Sequence, residues 1–184
     1  MGNLVRASPN SELPVAMAAL DAIFVLHNNA GHREVPVGAF FLGPHRTAVA
    51  PGELVTEIRI PLPPSRGVAS GFAEVAARAG APPLCCVAAV LEVDDEGRVQ
   101  KARIAAGGVT GAPMRWPEAE AALVGQLVSS ALVALERCRE PVVIPSADLP
   151  NADYARDVLA VLTRRAVAAA VARLGATPTA ENNR

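Results

Sequence analysis

Four residues near the start of the chain, Gly2, Asn3, Ser8 and Glu12, are of types that can hold an anionic ligand. Glycine lets backbone N–H groups approach a ligand closely, and the N-terminus of the helix that follows favours anionic oxygens. The same residues also make an ordinary capped helix start, and spacing by itself favours that simpler role. Other reactive side chains are scattered. His27, His32 and His45 fall in hairpin or loop positions without metal-ligand spacing, and Cys138 stands alone on an expected helix. No serine, histidine and acid are arranged for hydrolysis.

The elements that position these residues are short. Ser8 or Ser11 caps a helix in which Leu13, Met17 and Leu20 recur at helical spacing, with Pro9 or Pro14 in its first turn. A strand over 22–26 and another over 32–37 flank the turn Asn28-Asn29-Ala30-Gly31. The stretch from Phe40 to Pro61 then joins two differently built halves. Within it, Glu53 to Ile60 alternates as a strand, with Leu54, Thr56, Ile58 and Ile60 on one face and Val55, Glu57 and Arg59 on the other.

The proline-rich stretch 61–67 marks an expected domain boundary. Beyond it, strands over 71–78, 84–93 and 98–106, the last two joined by Asp94-Asp95-Glu96-Gly97, predict a three-stranded antiparallel sheet. Helices are expected over 118–124, 128–137 and 153–174. The last carries Asn151 or Asp153 as cap, Val158, Val161, Leu162 and Ala169 facing inward, and Gly175 as stop. A disordered tail is expected over 176–184. The fold class is therefore α+β.

With 184 residues the chain can bury a real core, and 16 prolines with 14 glycines suit a mixed fold better than a helical bundle. A net charge of -1 gives no electrostatic reason for nucleic acid or an anionic membrane as partner. Three cysteines, two of them the adjacent pair Cys85-Cys86, point to a reducing, cytoplasmic setting. No run approaches the roughly 20 apolar residues of a membrane span.

The order of Gly2-Asn3, Ala7-Ser8-Pro9, the strand ending at Ile60, and Gly107-Gly108-Val109 resembles the FAD-binding medium subunit of the molybdenum hydroxylases, the xanthine dehydrogenase and aerobic carbon monoxide dehydrogenase family. The segment Phe72 to Leu84 is similar to a family stretch in Glu74, Arg78, Gly80 and Leu84, but has Ala81 and Pro82 where many members carry aspartate and phenylalanine. The resemblance implies that residues 1–62 are the second half of an FAD-binding domain, and that 68–175 form the family's C-terminal domain. It implies FAD contacts at Gly2, Asn3, Ser8, Glu12, Val55 and Glu74.

It further implies an oxidoreductase subunit that passes electrons from iron-sulfur clusters through FAD to an acceptor. The molybdenum cofactor and 2Fe-2S clusters would lie on a large and a small partner subunit. Because Met1 falls inside the family's own glycine motif, an N-terminally truncated chain is expected, inactive when isolated. The alternative is a non-catalytic remnant that serves as a subunit-interaction module.

Overall fold

The computed structural model describes the backbone of residues 1–62, 66–137 and 152–176. The expected tail from 177 onward, Asn151 and the side chain of Asp153 lie outside the described residues. In chain order the elements are α1 (Gly2–Arg6), α2 (Glu12–Ala19), β1 (Ile23–Asn28), β2 (Gly31–Pro36), α3 (Val37–Phe40), β3 (Phe41–Gly43), β4 (Arg46–Thr47) and β5 (Leu54–Arg59). They continue with β6 (Val68–Ala76), β7 (Pro83–Val93), β8 (Val99–Gly107), β9 (Met114–Arg115), α4 (Pro117–Leu123), α5 (Ala131–Arg137) and α6 (Ala152–Ala176). A single 3₁₀ turn, Val128–Ser130, leads into α5.

The first sheet has the antiparallel order β2-β1-β5. Its hairpin closes at Asn28↔Gly31, where the Asn28 side-chain oxygen accepts the Ala30 N–H at 2.8 Å. This is the turn chemistry that asparagine and glycine supply. One face of the sheet packs Phe24, Leu26 and Val35 against Leu4, Ala7, Phe40 and Phe41. The rings of Phe24 and Phe40 stack at 3.7 Å, and Phe41 meets both edge-on.

The alternation expected for β5 does not hold. Its register with β1 shifts between Val25↔Glu57 and Leu26↔Val55, which leaves Thr56 as an extra residue. This β-bulge turns Val55 and Ile58 to the same face, where both pack on the phenylalanine cluster. Leu54, expected on the same face as Ile58, is instead 71% exposed.

The second sheet has the order β6-β7-β8-β9, so the two-residue β9 extends the three expected strands to four. Asp94 shapes the β7–β8 turn, its Oδ1 accepting the N–H groups of Glu96 at 3.1 Å and Arg98 at 2.8 Å. Both faces are covered. Cys85, Val87, Ala89 and Leu91 of β7 face α6, while Cys86, Ala88 and Val90 face α2. A strand buried on both sides reads as a continuous apolar run, and β7 does so.

On α6, Leu159, Leu162, Ala166, Val167 and Ala170 form the buried stripe. Val161, expected to face inward, is 49% exposed because it lies off that stripe. Gly71 lets α6 approach β6: a Cβ there would sit 1.9 Å from the Ala166 carbonyl oxygen. On α2 the expected stripe is also displaced. Leu13 points to solvent, and Val15, Ala18 and Ala19 are buried against the second sheet while Met17 packs on the phenylalanine cluster. Among the described residues, no helix is long and apolar enough to cross a membrane.

Candidate functional site

Gly2, which falls in the segment that resembles the family's glycine motif, begins one turn of helix. Leu4 drives this conformation by burying itself in the phenylalanine cluster. A Cβ at Gly2 would meet nothing within 4 Å, so its backbone faces open space. Helix α1 stops at Ala7, which adopts the left-handed conformation with φ 47°. The Ala7 carbonyl accepts the His45 N–H at 2.9 Å, and His45 Nδ1 lies 3.1 Å from the Arg6 carbonyl oxygen. The 43–45 loop thus pins the reversal between α1 and α2.

Asn3 and Ser11 join the two helices. The Ser11 hydroxyl donates to Asn3 Oδ1 at 2.6 Å, and Ser11, although at the N-cap of α2, makes no side-chain cap bond to that helix. Ser8 is half-buried, with its carbonyl accepting the Ser11 N–H at 3.2 Å. Glu12 stands exposed in the first turn of α2, where a carboxylate suits the helix dipole.

Glu74 is exposed on β6, opposite Cys86. Burial pushes the Cys86 thiol up to about 12, and Cys85, Glu12 and Glu74 add to that effect. Glu12 and Glu74 therefore flank the same part of the second sheet. Val55 is not brought together with them. It lies opposite Leu26 against the phenylalanine cluster, which makes it part of the first core.

Gly2, Asn3 and Glu12 are each exposed, and Ser8 is half-buried. The cleft beside them, bounded by Ser8, Ser11, Phe41, Gly43 and Ala112, offers only about 10 Å³ of free space, enough for one water at most. That space is too small to enclose a nucleotide. Among the described residues there is no group of three or more His, Cys, Asp and Glu that could hold a metal ion.

A polar cluster that sequence reasoning missed lies at the other end of α2. Arg103, 6% exposed, donates from Nε to the Ala19 carbonyl at 3.0 Å and pairs with Glu92. Arg115 reaches Asp21 Oδ1 at 2.6 Å and Glu120 Oε2 at 2.9 Å. Asp21 itself is left-handed, with φ 52°. The available signal was Arg103, a lone charge inside the apolar strand Ala102 to Ala106.

Residues 1–63 match the family model described as the FAD binding domain in molybdopterin dehydrogenase, and 70–170 match the CO dehydrogenase flavoprotein C-terminal domain. The glyceraldehyde dehydrogenase medium chain of Sulfolobus acidocaldarius is 32% identical over 90% of this chain and 58% of its own length. The carbon monoxide dehydrogenase medium chain of Afipia carboxidovorans is 32% identical over 94% of this chain and 60% of its own. Among solved structures, reconstituted CO dehydrogenase from Oligotropha carboxidovorans superposes with a TM-score of 0.80 at 31% identity, over 94% of this chain and 60% of that one. The chain thus spans about 60% of the length of each of these three relatives. Sequence, fold and both domain matches agree that the chain belongs to the family of FAD-binding medium subunits of the molybdenum hydroxylases.

Proposed function

We propose that this chain forms the flavin-holding part of a molybdenum-containing hydroxylase or dehydrogenase, in which electrons from iron-sulfur clusters pass through FAD to an acceptor. The observation that carries the reading is the match of residues 1–63 to an FAD-binding domain, within which Gly2, Asn3 and Glu12 are exposed. When bound, FAD supplies the redox chemistry. The chain's own task is to hold and orient it.

The open backbone at Gly2 and the side chains of Asn3 and Ser8 offer polar contacts to the nucleotide, and Glu12 offers a carboxylate acceptor for its hydroxyl groups. Glu74 extends that surface onto the second sheet. Val55 supports the site from within the first core. We place the division between an FAD-binding part and a C-terminal domain in the 62–68 stretch. The partners are a molybdenum-binding large subunit and an iron-sulfur small subunit, which carry the other cofactors. The unpaired, buried thiols of Cys85 and Cys86 support a reducing, cytoplasmic setting.

One observation favours a second reading. The narrow cleft beside Ser8 is too small to enclose a flavin, which suits a non-catalytic module that contributes a docking surface to other subunits. Titrating the purified chain with FAD, alone and with co-expressed partner subunits, separates the two. Saturable quenching of flavin fluorescence that weakens in Gly2→Val and Glu12→Gln supports the flavin reading. Absence of binding in both settings leaves the docking module.

A further inference from the structure

Helix α2 begins at the proposed flavin site, but its orientation is set by the second sheet. The two meet through small side chains, Val15, Ala18 and Ala19 against Cys86, Ala88 and Ala105. Burial as such is non-directional, and these side chains are short. Polar atoms supply the direction at both ends. At the near end, the Gly108 N–H donates to the Pro9 carbonyl at 3.1 Å, and a Cβ at Gly107 would sit 2.4 Å from Val15 Cγ2.

At the far end, Arg103 donates to the Ala19 carbonyl at 3.0 Å, and Arg115 Nη1 lies 3.4 Å from the Ala18 carbonyl. Both carbonyls belong to the last turn of α2, where a positive charge is favoured, and the Ala18 carbonyl also accepts the Asp21 N–H at 3.4 Å. The arginines are themselves held in place. Glu92 pairs with Arg103, while Glu120 and Asp21 grip Arg115 from two sides.

We propose that Arg103 and Arg115 are positioning residues, a two-arginine clamp on the C-terminal end of α2 that sets the pose of Ser8 and Glu12 at the flavin site. The inference rests on the flavin reading above. Eight residues of helix form a rod about 12 Å long, so a 10° tilt at the clamp moves the other end by about 2 Å. That is enough to break a hydrogen bond.

The test compares Arg115→Met, Arg115→Lys and the paired replacement Glu92→Met/Arg103→Met with the unaltered chain. The paired replacement leaves no unpartnered buried charge behind. Three quantities are measured: FAD affinity by fluorescence, the visible circular dichroism of bound flavin, and amide hydrogen exchange over 12–19. The clamp predicts that affinity falls about tenfold in Arg115→Met and in the paired variant, roughly one hydrogen bond's worth. The flavin band changes shape, exchange in α2 rises about tenfold or more while β7 and α6 keep their protection, and Arg115→Lys recovers much of the loss.

Unaltered α2 exchange and affinity in both methionine variants would overturn the proposal. So would a loss of protection throughout β7 and α6 with no recovery by lysine, which marks general destabilisation. If the unaltered chain takes up no FAD, the flavin reading fails, and the exchange over 12–19 alone decides the clamp.

Discussion

Arg33 and Glu53 meet in a two-point ion pair, Nε to Oε1 and Nη2 to Oε2, both at 2.8 Å. The same guanidinium donates to the Ala48 carbonyl at 2.7 Å, and the Glu53 carboxylate accepts the Ala50 N–H at 2.8 Å. The pair therefore fastens the 46–53 loop to the edge strand β2.

The hydrogen bonds from Arg33 and then from the Ala50 N–H bring the Glu53 carboxyl from its ordinary 4.5 down to about 2. A lowered folded value stabilises the fold above the ordinary value, and this contribution drains away as pH falls toward about 2. Glu53→Gln is expected to lower the melting temperature at pH 7, with the gap from the unaltered chain closing between pH 4.5 and about 2. Thermal melts across that range check it; a gap that persists unchanged at the acid end contradicts it.

Two glycine-to-alanine changes should act in opposite directions. At Gly71 the new methyl would press on the Ala166 carbonyl, and forcing α6 away from β6 costs about 1–3 kcal/mol. At Gly175, near the end of α6, nothing lies within 4 Å, and alanine gains up to about 1 kcal/mol from helix propensity. Urea denaturation measures both.

Thr163 is 2% exposed, and among the described residues its hydroxyl has no hydrogen-bond partner. Thr163→Val keeps the shape and removes the unsatisfied group. The change is expected to stabilise the chain by about 1 kcal/mol. A loss of stability in the same denaturation assay would show that the hydroxyl is bonded in solution.

Burial holds both the Cys85 and Cys86 thiols up at about 12. At pH 8 neither is a reactive thiolate. Peptide-level mass spectrometry after iodoacetamide treatment should find both unmodified in the folded chain and both alkylated in denaturant.

Much of the second sheet was legible because its signals are local. The Asp94-Asp95-Glu96-Gly97 turn, the continuous apolar run of β7, and the opposite facing of Cys85 and Cys86 each depend on a few neighbouring residues. The first sheet was read less well. Its period of two fails at Thr56 because a bulge depends on the pairing partner, which the local alternation does not encode. The stripe on α2 was displaced for a related reason: the helix is buried on two sides, against the phenylalanine cluster and against β7 and β8, so no single face stands out. At the candidate site, Gly2, Asn3, Ser8 and Glu12 are close in sequence, and the Asn3–Ser11 hydrogen bond joins the two helices that carry or flank them. The arginines behind them were hidden because Asp21 and Arg115 stand 94 positions apart.

The placement of α2 bears on how the chain is made. Its C-terminal carbonyl at Ala19 finds Arg103 only 84 positions later. At ribosomal speeds of about 5–20 residues per second, the helix leaves the exit tunnel roughly 4–17 s before the strand that will hold it. For most of that interval, until β7 brings Cys86, Ala88 and Val90, the residues Val15, Ala18 and Ala19 lack the sheet they rest on, so nascent chains stalled before β7 should recruit holdase chaperones to this stretch, and chains that have extruded β7 and β8 should release them.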